Sequence, residues 1–323
     1  YENESLLPIN RGFEKTITMP FSGGDNWTQQ SYVPHYEKTL WFENGKEINV
    51  PEDFYSSKFI VDKTMEQLEN NLHTNEKDRK PFFSYVSFQA VHIPIQAPKA
   101  FTEKYIGSYK DGWHVLRKNR QKAVKNLGLL SASAPMKRMP STTDWDELSE
   151  EEKRFNDKRM AVYAGMVDAM DHHIGRLIQY LKDSGQYDNT IIMFTSDNGP
   201  AAAEVPPLWF KMLGYNNDYN TLGERYSYNT LGISFGSAAA SPLGHYKFHS
   251  GEGGMRVPFI AAWAKANQEN VFQRKLPIAA GTMQAQIGTV MDLLPTICNL
   301  AGVKLPQGMT IDGYDLKQQL AGS

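Results

Sequence analysis

Asn189-Thr190-Ile191-Ile192-Met193-Phe194-Thr195-Ser196-Asp197-Asn198-Gly199-Pro200 is the stretch on which the reading of this chain turns. The apolar run Ile191 to Phe194 is long enough for a buried strand. In an open α/β sheet the crevice beyond the carboxyl ends of the strands is where ligands bind. Asp197 and Asn198, side by side at such an end, offer hard oxygen donors suited to Ca²⁺ or Mg²⁺. The same residue types also make tight turns. On this stretch alone, a turn and a metal site both stand.

Upstream, Ser149-Glu150-Glu151-Glu152 has the form of a capping box, with Ser at the cap and Glu three residues on. It predicts a helix whose apolar stripe is Met160, Tyr163, Val167, Met170, Ile174, Leu177, Ile178 and Leu181. Gly185 is placed to end that helix, and Asp188-Asn189 leads into the strand. Helix followed by strand is the α/β pattern. Residues 53–72 read as another helix, capped by Ser56 or Ser57, with Val61, Met65, Leu68 and Leu72 on one face.

Pro81 to Phe88 reads as an aromatic-rich strand, followed by a loop with His92 at its rim. Residues 1–50 read as loops over a surface or cleft wall, and 99–148 as short helices outside the sheet. Residues 200–245 form a long Gly-, Asn-, Tyr- and Ala-rich excursion with no clear period, which favours an active-site wall. Phe259 to Trp263 reads as a strand, and Met291 to Gly302 as a helix stopped by Gly302.

At 323 residues the chain exceeds a small module. Its net charge of −2 argues against a general polyanion binder, so no nucleic-acid partner is expected. A single cysteine, Cys298, excludes an intrachain disulfide and a Cys-based metal site, and its apolar helical context reads as core. No apolar run reaches the length that spans a membrane.

Three features could meet in space: Asp197 with Asn198, His92 after a second strand end, and Lys247 in a Gly-flanked loop. A cation, an imidazole and a lysine converging on one point would stabilise charge on a tetrahedral oxyanion. Each also has a plain alternative. His92 alone is a loop histidine, and Lys247 alone is a solvated lysine. His172 and His173 are neighbours on a helix and point in different directions, so they do not chelate together.

Taken in order, several segments resemble the sulfatase family of the alkaline-phosphatase superfold, most of all bacterial arylsulfatases. They are Arg11-Gly12-Phe13-Glu14, Phe54-Tyr55-Ser56-Ser57, and Pro81-Phe82-Phe83 through His92 and Pro94 to Gln96-Ala97-Pro98. Tyr163-Ala164-Gly165-Met166, Ile174-Gly175-Arg176, Ser196-Asp197-Asn198-Gly199 and Tyr246-Lys247 continue the set. Gly253-Gly254-Met255-Arg256-Val257-Pro258 and Asp292-Leu293-Leu294-Pro295-Thr296 complete it. No one of them is specific; their order and spacing cover nearly the whole chain.

The resemblance implies an α/β fold with a mixed, mainly parallel central sheet and helices on both faces, incomplete over these residues. It implies one active-site Ca²⁺ with Asp197 and Asn198 among its ligands, and His92 and Lys247 contacting the sulfate group of a small sulfate ester. Asp197 would also lie against a formylglycine nucleophile, whose hydrate attacks sulfur before a histidine protonates the departing alcohol. The family makes that nucleophile from a Cys/Ser-x-Pro/Ala-x-Arg motif, and none stands in these 323 residues. The sequence is therefore expected to be an internal part, 1–323, of a sulfatase catalytic domain, holding about half the site and inactive by itself. A phosphonate or phosphate ester hydrolase of the same superfold, and a catalytically inert or binding chain, are the alternatives. Bacterial members imply a periplasmic or secreted location. A sheet lacking its first strands is expected to expose apolar edge and face.

Overall fold

Asn44 and Gly45 fold the start of the chain. Both take positive φ, 50° and 82°, as the two-residue turn that suits a twisted hairpin requires. They join β2 (Trp41–Glu43) to β3 (Lys46–Ile48), and β1 (Ile17–Thr18) adds antiparallel on the far side of β2. Residues 1–50 were expected as loops; the Asn-Gly turn converts part of them into a small sheet. The computed structural model describes residues 4–73, 80–136, 139–204, 206–264, 281–305, 307–308 and 310–321. The chain falls into two compact units, Tyr1–Gln121 with Met136–Tyr180 and Gly199–Met255, and Lys122–Pro135 with Leu181–Asn198 and Arg256–Ser323.

In the first unit, Trp41 packs edge-on against Phe54 and Phe59, and Phe59 belongs to α1 (Ser56–Leu72). Val61 and Leu68, two turns apart, are buried as the spacing predicts. The cap differs from expectation. Tyr55 occupies the cap position in extended conformation with no side-chain cap bond, and Ser56 Oγ instead donates to Asn26 Oδ1 at 2.6 Å. A buried hydroxyl goes to the acceptor that burial would otherwise leave unpaired.

The short α2 (Lys99–Thr102) and the longer α3 (Gly112–Asn126) follow. Ser149 and Glu152 close the predicted capping box: Glu152 N–H donates to Ser149 Oγ at 3.2 Å, and Ser149 N–H to Glu152 Oε2 at 2.9 Å. They open α4 (Glu150–Asp183), 34 residues long. Its buried face is Met160, Val162, Met166, Ala169 and His173, whereas Val167 of the predicted stripe is 40% exposed. The helix is covered on two flanks. Met160 joins Trp113, Trp145 and Phe235, and Val162 and Met166 join Ile95, Ala97 and Leu222. A single-stripe reading places the burial one position off.

The excursion 200–245 is not simply a wall. It carries α5 (Pro207–Met212) and α6 (Gly232–Ala240), and α6 is core. Its small residues allow close approach: a Cβ on Gly236 would stand 2.5 Å from Ala202 Cβ. Arg159 of α4 ties the same excursion down, donating to Thr230 O at 2.7 Å and to Glu204 at 3.2 Å. The four-residue α7 (Glu252–Met255) closes the unit. Pro81 to Phe88, expected as a strand, is without strand pairing among the described residues, and Tyr85 is 75% exposed. A strand requires a neighbour to take its N–H and C=O groups, and the described residues supply none.

In the second unit, β4 (Ile191–Thr195) pairs antiparallel with β5 (Phe259–Trp263), Ile191 opposite Trp263 and Thr195 opposite Phe259. Ile191, Met193 and Trp263 pack with Leu300 and Leu320, which lie on α8 (Leu293–Ala301) and α9 (Lys317–Leu320). β4 is half-buried rather than buried, because this cluster covers one side of a two-stranded ribbon. The opposite side leaves Ile260 56% exposed. The fold is mixed α/β as expected. Every strand pairing among the described residues is antiparallel, so no parallel ladder is visible within them. Gly302, at φ 71°, ends α8 as the sequence predicts, and Cys298 is half-buried there rather than core.

This packing sets two measurable outcomes. Trp113 meets Trp145 and Phe235 nearly at right angles and donates its indole N–H to Thr143 O at 2.9 Å. Trp113→Ala is expected to cost about 3–5 kcal/mol, read from the denaturant midpoint. His173 is 8% exposed, and burial first, then Arg176 and His172, holds its imidazole down to about 4. In the unfolded chain it binds a proton near its ordinary 6.5. Between those values the unfolded state binds more protons, so stability falls as pH drops through that window. His173→Gln should lose less melting temperature than the parent between neutral pH and pH 5, by differential scanning calorimetry.

Candidate active site

Asp197 stands in the position the sequence assigned to it, just past the carboxyl end of β4, and it is exposed. The turn around it is held by hydroxyls. Thr195 Oγ donates to Pro258 O at 3.0 Å, and Ser196 Oγ donates to Asn198 O at 2.9 Å. Asn198 is half-buried. These bonds engage backbone carbonyls, and the Asp197 side chain is exposed. The turn reading and the ligand reading are thus compatible.

Calcium takes six to eight oxygen ligands. Asp197 and Asn198 supply donors of the right kind and too few of them. Among the described residues no group of three or more His, Cys, Asp or Glu side chains is placed to hold a metal ion. The oxygen donors of the pair are of the kind calcium takes, and two of them do not fill its coordination.

The chain crosses into the first unit at Gly199. There Gly199 N–H donates to Gly254 O at 2.9 Å, and a Cβ on Gly199 would run into the Gly253 carbonyl. Gly253 and Gly254 are closed to side chains in the same way, by the carbonyls of His245, and of Tyr246 and His249. Gly253 N–H donates to Gly244 O at 2.7 Å, so Gly244 to Gly253 is a closed loop. Lys247 rides on it, its backbone N–H donating to Pro200 O at 3.1 Å. The Lys247 ammonium lies 5.4 Å from the centroid of the Phe248 ring, and Phe248 is 89% exposed.

Two histidines flank Lys247 that sequence reasoning did not assign. His245 and His249 place their ring centroids 5.0 Å apart, and His249 meets Tyr246 edge-on at 4.9 Å. The signal for them was present, in two imidazoles within two residues of the lysine. They stand four apart, the spacing a helix would bring together, but the segment is turns rather than helix, so the helix rule does not apply to it.

His92 is exposed, on a different loop of the first unit, and its ring hydrogen bonds go elsewhere than to Lys247. Its Nδ1 lies 2.9 Å from Ile93 O and 3.3 Å from the Tyr32 hydroxyl. Tyr32 is half-buried, and burial pushes its phenol up to about 12, so it stays a neutral hydroxyl at physiological pH. Tyr32 was not read as a site residue, because sixty positions separate it from His92 and nothing local in either segment points to the other. Thus the structure describes Lys247 and His92 within one unit and Asp197 with Asn198 in the other.

The family model for Sulfatase matches residues 1–303. An uncharacterized sulfatase of Schizosaccharomyces pombe is 34% identical, over 96% of this chain and 55% of its own length. An arylsulfatase of Klebsiella aerogenes is 26% identical, over 92% of this chain and 62% of its own. The chain therefore spans somewhat more than half the length of these relatives. Among solved structures, Ps i-CgsB in complex with k-i-k-neocarrahexaose has a TM-score of 0.58 at 23% identity, covering 98% of this chain and 52% of that one. BT4656 in complex with its substrate D-glucosamine-2-N,6-O-disulfate has a TM-score of 0.52 at 22% identity, covering 96% and 59%. At such identities the structures speak to the fold, which is theirs. With the family model matched over residues 1–303, this chain belongs to the sulfatase family.

Proposed function

We propose that the protein is an arylsulfatase, hydrolysing a small sulfate monoester to an alcohol or phenol and inorganic sulfate. The observation that carries the reading is the sulfatase match over residues 1–303, which includes the strand-end Asp197-Asn198 pair and the glycine-locked Lys247 loop. The likeness to an arylsulfatase over 92% of the chain supports the aryl preference.

In this reading Asp197 and Asn198 give oxygens to Ca²⁺, which when bound supplies positive charge at the sulfate oxygens. The Lys247 ammonium neutralises a sulfate oxygen, and the glycine-locked loop fixes the backbone from which that side chain reaches. Preorganised charge of this kind needs no rearrangement as the transition state forms. The carbonyl of Ile93 can only accept, so Nδ1 of His92 carries the proton of the 2.9 Å bond. Nε2 is then the nitrogen that gains and gives a proton, and in the imidazolium form it donates to the departing ester oxygen. The nucleophile is a formylglycine outside these 323 residues, and no residue of this chain is assigned to that role. A periplasmic or secreted location accompanies the reading; among the described residues no helix is long and apolar enough to cross a membrane.

In the full-length protein, Lys247→Ala and Asp197→Ala should each lower aryl sulfate turnover by about 100-fold or more. Asp197→Ala should also weaken calcium binding, measured by titration calorimetry. Near-parent turnover in both variants would overturn the assignment. Gly253→Ala should lower turnover as well, because the added methyl displaces the His245 carbonyl and with it the loop that carries Lys247. Paired rates on an aryl sulfate and an aryl phosphonate should favour the sulfate.

A further inference from the structure

His92 is exposed, so packing does little to fix its ring. Two oxygens hold it, and they differ in what they can do. Ile93 O belongs to the next residue along the chain, moves with the His92 backbone, and fixes the tautomer without fixing the ring relative to the fold. Tyr32 comes from a segment sixty residues away. Among the described residues it is the one side chain with a polar atom within hydrogen-bonding distance of the His92 imidazole.

Tyr32 is itself anchored. Its backbone N–H donates to Gly23 O at 2.8 Å, and its ring stands edge-on to Tyr228 at 5.5 Å. Tyr228 is stacked on Phe210 at 4.2 Å and meets Tyr215 edge-on. The Tyr215 hydroxyl donates to Asp25 Oδ2 at 3.2 Å, and Asp25 is buried and holds the backbone N–H groups of Trp27 and Thr28. Thus the phenol oxygen beside His92 is the end of a packed aromatic stack whose other end is a satisfied buried carboxylate.

We infer that Tyr32 is a positioning residue for His92: its hydroxyl oxygen takes a share of the Nδ1 proton, and so aims Nε2 at the ester oxygen that leaves. Nδ1–H has two acceptors in reach, Ile93 O at 2.9 Å and Tyr32 Oη at 3.3 Å, distances that suit a three-centre hydrogen bond in which a single N–H is shared between both. Outer partners on one imidazole nitrogen set the tautomer and direction of the other. The burial that keeps Tyr32 a phenol leaves its oxygen a neutral acceptor. No charge is added next to the imidazolium, and the hydroxyl proton stays free to turn away.

The inference rests on His92 serving the leaving oxygen, and the test separates the two. In the full-length protein, Tyr32→Phe keeps the ring in its stack and removes only the oxygen. His92→Ala removes the proton donor. Both are assayed on aryl sulfates whose phenols span a wide range of acidity. A phenol that leaves well without protonation needs no acid, and a poor one does. His92→Ala should lose little on 4-nitrophenyl sulfate and much more on phenyl sulfate. Tyr32→Phe should follow the same slope at smaller size, about tenfold in kcat on the poor leaving group, with KM unchanged. Nitrogen-15 NMR of the His92 ring should show the Nδ1–H tautomer, set by Ile93 O, in the parent and in Tyr32→Phe alike, with relaxation reporting greater ring motion in Tyr32→Phe. A steep slope in His92→Ala with a flat one in Tyr32→Phe, or unchanged ring motion, overturns the role of Tyr32 alone. A flat response in His92→Ala overturns the reading of His92 and this inference with it.

Discussion

Three glycines in backbone contact set the geometry of the Lys247 loop. Gly199 N–H reaches Gly254 O at 2.9 Å, and no Cβ fits on Gly199, Gly253 or Gly254. Backbone carbonyls are far less able to shift than the ends of side chains, so a methyl at any of these positions moves main chain. Glycine is the residue that lets two backbones touch. Gly199 directly follows Asp197-Asn198 in the chain, and Gly253 and Gly254 close the loop bearing Lys247. His245 and Phe248, both at positive φ near 70°, are held in a conformation that side-chain-bearing residues adopt reluctantly. Surrounding structure must over-determine such residues, and here the close backbone packing does so.

Where a rule acts within a few residues, the sequence was a good guide. The Ser149–Glu152 capping box and the left-handed Gly302 depend on near neighbours, and both are formed as read. The strand-end placement of Asp197 belongs with them, since an apolar run ending in Ser-Asp-Asn-Gly carries its own stop. The Asn44-Gly45 turn was equally local and equally readable; the short strands around it, two and three residues long, gave too little alternation to draw notice. What failed was burial decided at a distance. Val167 fits the helical stripe of α4 and faces outward, because that helix is flanked by two clusters rather than one. The small-residue helix α6 has no periodic contrast to display, as nearly every residue in it is small or apolar. Its place in the core depends on Trp113 and Trp145, more than eighty positions away.

The site shows the same division. Residue types and their order gave Asp197, Asn198, His92 and Lys247 as candidates, since each motif is legible within its own segment. Which neighbours surround them was not legible. Tyr32 and His92 come together through a hairpin-like return of the early chain and an aromatic stack reaching residues 210–228. No local pattern encodes a meeting across sixty residues, and the contact is set only when the whole stack packs.

The candidate residues share a physical trait that explains how a site can be rigid yet open. The Asp197 carboxylate and the His92 ring are exposed, and Lys247 is half-exposed. Their fixation comes from behind. Hydroxyl-to-carbonyl bonds hold the turn under Asp197, glycine contacts hold the loop under Lys247, and a buried aromatic stack ends at the imidazole of His92. A charged or proton-carrying group that must meet a sulfate ester has to stay accessible, so packing the group itself would defeat its use. Packing its support does not. Hydrogen bonds to the backbone and to one ring nitrogen fix direction while leaving the reactive atom free, and for His92 that atom is Nε2. Among the described residues, the oxygen of Tyr32 is what ties that exposed ring to a part of the fold remote in sequence, which is why removing a single oxygen there reaches the direction of proton transfer without touching the substrate.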